Sequence, residues 1–134
     1  MKRPPRIDAA LTTRLLSECL PMLSAEAIKA AEGCGVYVAA VRRGLAHNAS
    51  KRITVPAWVF DTSINFCGKA HVQGGNAFAA YYLAHELSHV VSLDSGHGRT
   101  FMLAFMRLCP AALQKYESVY KPRNAKAAGI EMIA

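Results

Sequence analysis

The chain has 134 residues, 52% of them hydrophobic and 19% charged, with 16 Lys+Arg against 9 Asp+Glu for a net charge of +7. The length predicts one domain, residues 1–134, able to bury about two-thirds of the surface its unfolded form exposes. The composition excludes a disordered or low-complexity chain, and no run approaches the roughly 18 apolar residues of a membrane span.

Met1-Lys2-Arg3-Pro4-Pro5-Arg6 is basic, but Asp8, Thr12, Thr13 and Arg14 follow it. That stretch lacks the apolar core and cleavage site of a secretory signal, so the expected compartment is the cytoplasm. Cys19, Cys34, Cys67 and Cys109 form no C-x-x-C pair and are expected as free thiols. The basic residues are scattered: Arg42-Arg43, Lys51-Arg52, then Lys121, Arg123 and Lys126. Such a charge permits DNA as a partner without specifying it.

Asp8 is placed to cap a helix through Leu11, Leu15, Leu16, Cys19 and Leu20, which Pro21 interrupts. Ser24 is placed to cap a second helix, Ala25 to Glu32, with Gly33 as its stop. Val36 to Val41 and Arg52 to Phe60 read as strands, and Gly44 to Ser50 reads as the hairpin loop between them. Pro56 cannot donate to a ladder, which predicts an edge position or a bulge for the second strand. Asp61 to Gly75 reads as a loop. Asn76 is then placed to cap a long apolar helix, Ala77 to about Ser92, which Asp94-Ser95-Gly96 breaks. A fourth helix is expected from Gly98 to Cys109, ended by Pro110. A fifth is expected from Ala111 to Tyr120, with a loosely held tail over 123–134.

The third helix contains His85-Glu86-Leu87-Ser88-His89, an H-E-x-x-H motif. Four helical residues advance about 6 Å and turn about 400°, so the two histidines share a face. Two imidazoles on that face can hold one metal ion at about 2.0–2.1 Å each. Glu86 lies about 100° round the helix, off the ion but within reach of a water on it. Two histidines and a glutamate are costly to bury in so apolar a helix without a compensating partner.

Three residues downstream are candidate third ligands: Asp94, His97 and Glu117. Asp94 follows His89 too closely to fold back without an abrupt reversal. Glu117 belongs to the expected fifth helix. His97 has seven intervening residues for the reversal, and Gly96 and Gly98 on either side free the backbone.

The run from His85 to Phe101, H-E-L-S-H followed by His97-Gly98-Arg99-Thr100-Phe101, resembles the SprT-like zinc metallopeptidases, which include the Spartan proteases. The resemblance covers about 25 residues closely, and loosely the helix–hairpin–helix order upstream. It implies Zn2+ as cofactor, His85, His89 and His97 as its ligands, Glu86 as general base, and Phe101 packed behind the site. The Cys-rich zinc ribbon of many relatives is missing here, since Cys109 is the sole cysteine after residue 67. So are the regions through which Spartan-type proteins hold DNA and partners.

Other residues have weaker claims. Cys67 and His71 form a possible second ligand pair lacking a third member. Tyr81, one turn before His85, is a candidate for the cleft wall, and Trp58 for the core or the hairpin face. Arg99, Tyr116 and Tyr120 are candidate oxyanion donors. Asp94 either orients a ligand histidine through its carboxylate or caps the turn before His97.

Together these readings predict an α+β, zincin-like domain: N-terminal helices, a small antiparallel sheet, the active-site helix and a following helix. The expected activity is peptide-bond hydrolysis on a protein or peptide substrate, which an edge strand, that of residues 52–60, would pair with. The competing reading is a basic binding or inhibitory protein with a structural zinc site, in which Glu86 has no task.

Overall fold

The computed structural model describes residues 6–63, 65–66, 72–94 and 96–109. The expected fifth helix, the tail, Cys67, His71, Tyr116, Glu117 and Tyr120 lie outside the described residues. Among these the fold is mixed α+β, with four α-helices and a small three-stranded sheet. No described helix is long and apolar enough to cross a membrane.

Helix α1 (Ala9–Arg14) starts where Asp8 predicts, its carboxylate accepting from the Leu11 N–H at 2.9 Å. The helical path continues as a wide π turn over Leu15–Cys19 and a tight 3-10 turn over Leu20–Met22. This change of pitch surrounds Pro21, which has no N–H to donate and whose ring crowds the carbonyl four residues back. Helix α2 (Ala25–Glu32) has the predicted bounds, with Ser24 Oγ accepting from the Ala27 N–H at 3.2 Å. Cys19, Cys34 and Cys109 form no disulfide with one another.

The sheet differs from the expected antiparallel hairpin. Strands β1 (Gly35–Ala39) and β3 (Arg52–Pro56) run parallel, and β2 (Leu45–His47) pairs antiparallel with β3, giving the order β1-β3-β2. The segment read as a hairpin loop is long enough to hold a return strand. The chain therefore reverses twice between β1 and β3, the second time through Lys51 at φ 52. So β3 is the central strand, not an edge. Pro56 is its last residue, and β2 reaches only as far as Thr54, so the missing N–H has no β2 neighbour to disappoint. Beyond it, Ala57–Phe60 is a 3-10 turn, not strand.

Val36, Val38, Ile53 and Val55 point to one face of the sheet and are buried. Helix α3 (Asn76–Ser92) packs on that face, and α4 (Arg99–Leu108) packs on α3. Asn76 does not cap α3. Gly75, at φ 143, takes the cap position, and the Asn76 side chain accepts from Arg14 Nε at 2.8 Å. The loop before α3 holds a two-stranded ribbon, β4 (Asn65–Phe66) with β5 (Val72–Gln73). Phe101, Met102, Phe105 and Leu108 of α4 are fully buried. Leu108 accepts from the Ser24 N–H at 3.1 Å, and Arg107 meets Glu26 at 3.2 Å. Helix α4 is thus held at both the start of α2 and the back of α3.

Candidate metal centre

The spacing of His85 and His89 puts both rings on one side of α3, with centroids 5.1 Å apart. The helix ends at Ser92, and Leu93 adopts a left-handed conformation at φ 56 that turns the chain back. His97 then comes just before α4, its ring centroid 5.0 Å from both other imidazoles. One nitrogen from each of the three lies within 4.8 Å of the others, so the group could hold a metal ion. Nε2 of His85 and Nε2 of His97 stand 3.2 Å apart. Two bonds of about 2.05 Å to one ion would span that separation at an angle of about 103°, close to tetrahedral. Phe101 packs against all three rings, with centroid distances of 5.0 Å to His85, 4.5 Å to His89 and 4.9 Å to His97.

Asp94 serves this cluster through its backbone. Its carbonyl oxygen lies 2.7 Å from His89 Nδ1, while its carboxylate accepts from the Gly96 N–H at 2.9 Å and from Thr100 Oγ1 at 3.4 Å. Of the two roles read from sequence, the carboxylate has the turn-capping one. The chain places His97 beside the pair on α3, and Asp94 is not among the grouped residues.

Burial, with the neighbouring imidazoles adding to it, lowers the pKa of His85 to about 3. Burial and His89 lower that of His97 too, partly offset by Asp94. These shifts favour the neutral ring, the form that coordinates metal. Glu86 is 6% exposed, and burial raises its pKa to about 7. A carboxyl poised near neutrality both accepts and returns protons readily.

The cluster opens on a cleft of about 610 Å³ that Glu86 also lines. Its far wall is the segment from Arg42 to Ala46, which leads into and includes part of β2. Tyr81 is not in that wall. It is 6% exposed, stacks on Phe78 and meets Phe105 edge-on. The cleft tyrosine is Tyr82, whose hydroxyl accepts from the Gly44 N–H at 2.8 Å. Trp58 lines the cleft as well and donates from Nε1 to the Arg42 carbonyl at 3.0 Å. Sequence reading gave Tyr82, Arg42, Arg43 and Gly44 no place in the site. The helical period held one signal, since Tyr82 lies three residues before His85 and four before Glu86, on the side that Glu86 faces. Arg99 sits exposed in the first turn of α4 and is not part of the cleft lining.

Comparison with protein-family models, curated proteins and solved structures finds no match for this chain.

Proposed function

We propose that the chain is a zinc-dependent metallopeptidase of the SprT-like kind, with His85, His89 and His97 as metal ligands and Glu86 as general base. The observation that carries this reading is the position of Glu86. Its carboxyl is buried, held near neutrality, and lines the same cleft as the three imidazoles. A site that only stiffened the fold would gain nothing from a buried acid there. Among the described residues no fourth His, Cys, Asp or Glu joins the three, the ligand count of catalytic zinc sites.

A bound Zn2+ would supply Lewis-acid chemistry, polarising a substrate carbonyl and acidifying water. The chain's own part is positional. Three imidazoles present nitrogens to one point. Glu86 takes the proton of the attacking water and returns it to the leaving amine, so that base and acid are one group used twice. The zincin-like fold reading is supported by the order of sheet, H-E-x-x-H helix and third-ligand segment. An extended substrate would pair with β2, the edge strand at the cleft, and not with segment 52–60, whose strand part, β3, is central.

The test is cleavage of an unfolded protein substrate by the zinc-loaded chain and by zinc-loaded Glu86→Gln. The reading requires cleavage by the first, none by the second, and equal metal content in both. Retained cleavage by Glu86→Gln would remove Glu86 as the base. Metal binding without cleavage by either protein would favour the binding-protein alternative.

A further inference from the structure

The cleft that Glu86 lines also carries two arginines in a segment whose backbone is held in place by its neighbours. The Arg42 carbonyl is fixed by Trp58 Nε1 at 3.0 Å, and the Gly44 N–H by the Tyr82 hydroxyl at 2.8 Å. Residues 42–44 are therefore tied on both sides of Arg43 to aromatic side chains of the cleft. Glycine at 44 is what permits this approach. A Cβ there would run into the Tyr82 ring and come within 2.9 Å of the Thr54 carbonyl.

The tied segment presents charge that the described fold does not use. Arg14 meets Glu18, Arg107 meets Glu26, and Arg52 lies over the Tyr37 ring. Arg42 and Arg43 are exposed, and their guanidinium groups make no ion pair with any described residue. Among the described residues Glu86 is the one carboxylate in the cleft lining, and it is buried in helix α3. The positive charge of Arg43 reaches the Tyr82 hydroxyl, where it works against the effect of burial.

We infer that Arg42 and Arg43 form an anion-recognising subsite of this cleft, which selects peptides bearing an acidic side chain beside the bond at the metal centre. The inference rests on the peptidase reading and supplies its substrate class. Guanidinium groups match carboxylates in geometry as well as charge. Peptide is favoured over nucleic acid because, among the described residues, just two basic side chains line the cleft, whereas a phosphate backbone is held by many spread along a path. The adjoining edge of β2 offers main-chain groups that an extended peptide can pair with.

The experiment uses the full chain, zinc-loaded, as Glu86→Gln so that ligands survive. Its probes are short peptides of one fixed sequence with Glu, Gln or Lys at a single central position. Binding of the Glu peptide should exceed that of the Lys peptide by on the order of 10-fold or more, about the effect of one charge contact. Adding Arg42→Glu and Arg43→Glu together should invert this ratio, and Arg43→Lys should keep its sign. An inverted preference is a gain for the Lys peptide that misfolding cannot produce. Equal binding of all three peptides by the starting protein, no binding of any, or an unchanged ratio in the double Glu variant overturns the inference. So does a single-stranded oligonucleotide that binds more tightly than the Glu peptide. Cleavage of the same peptides by the wild-type chain separates the two ideas. Acid-selective binding without cleavage sinks the peptidase reading and leaves the subsite. Cleavage indifferent to the central residue does the reverse.

Discussion

His89 donates its Nδ1–H to the main-chain carbonyl of Asp94, 2.7 Å away. A carbonyl only accepts, so the proton resides on Nδ1 and the lone pair on Nε2, the nitrogen left for a metal. The orienting group is backbone, which divides the roles of residues 94 and 97. Asp94→Ala should keep the carbonyl and lower zinc affinity by no more than about 10-fold, through the loosened turn at Gly96. His97→Ala should lower it by on the order of 100-fold or more. Competition with a chromophoric chelator measures both. A greater loss at Asp94 than at His97 would reassign the third ligand.

This division also marks what the sequence could convey. The H-E-x-x-H spacing reports a helix face directly, because helical geometry converts four residues into one turn. Ser24 and Gly33 bounded α2 for an equally local reason. The sheet was not legible, since parallel and antiparallel pairings of the same two β-prone runs differ only in what the intervening residues do. Residues 40–51 contain Leu45–His47, too short a strand to announce itself. Asn76 has the chemistry of a cap, yet Arg14, 62 positions earlier in the chain, takes its side chain. Tyr82 was overlooked in favour of Tyr81 because one helical step decides between core and cleft, and both sides of α3 are apolar.

The metal-free protein should show two opposed acid responses. His85 is neutral in the fold down to about 3, whereas the unfolded chain protonates it near 6.5. Stability is therefore lost as the pH falls through that interval. Glu86 behaves oppositely. Its folded pKa is about 7 against 4.5, so its contribution is complete below 4.5 and is lost as the pH rises through 7. Glu86→Gln removes the second response alone. In chelator-treated protein it should raise the thermal midpoint above pH 7, and the gain should vanish toward pH 4.5. A gain that grows on acidification would show that Glu86 is not burdened by burial.

Phe101 is fully buried beneath the three imidazoles. Phe101→Ala should cost about 3–5 kcal/mol in denaturant unfolding. Phe101→Leu, which fills most of the volume, should cost about 1–2 kcal/mol. Zinc affinity should fall in the same order, because the ring fixes the lateral position of each imidazole. Undiminished affinity in Phe101→Ala would mean that the turn alone positions the ligands.

Tyr82 and Gly44 should titrate one another structurally. Tyr82→Phe leaves the Gly44 N–H without its 2.8 Å acceptor, a loss of about 1 kcal/mol. Amide exchange at Gly44 should accelerate markedly while exchange at Val55, fully buried in β3, stays slow. Equal acceleration at both sites would indicate global destabilisation instead of a local tie.

The three imidazoles lie within residues 85–97, whereas the contact that closes the fold, Ser24 with Leu108, spans most of the described chain. Joining His89 to His97 closes a loop of eight residues, against 84 for that contact. The entropy of closure grows as the logarithm of length, so the short loop is easier to form by about 2 kcal/mol. By the same measure an ion present during refolding would meet these two imidazoles before the α2–α4 contact is in place. Such an ion would serve as a nucleus: metal added at the start of refolding should accelerate it, whereas metal added at the end should only tighten what has already formed.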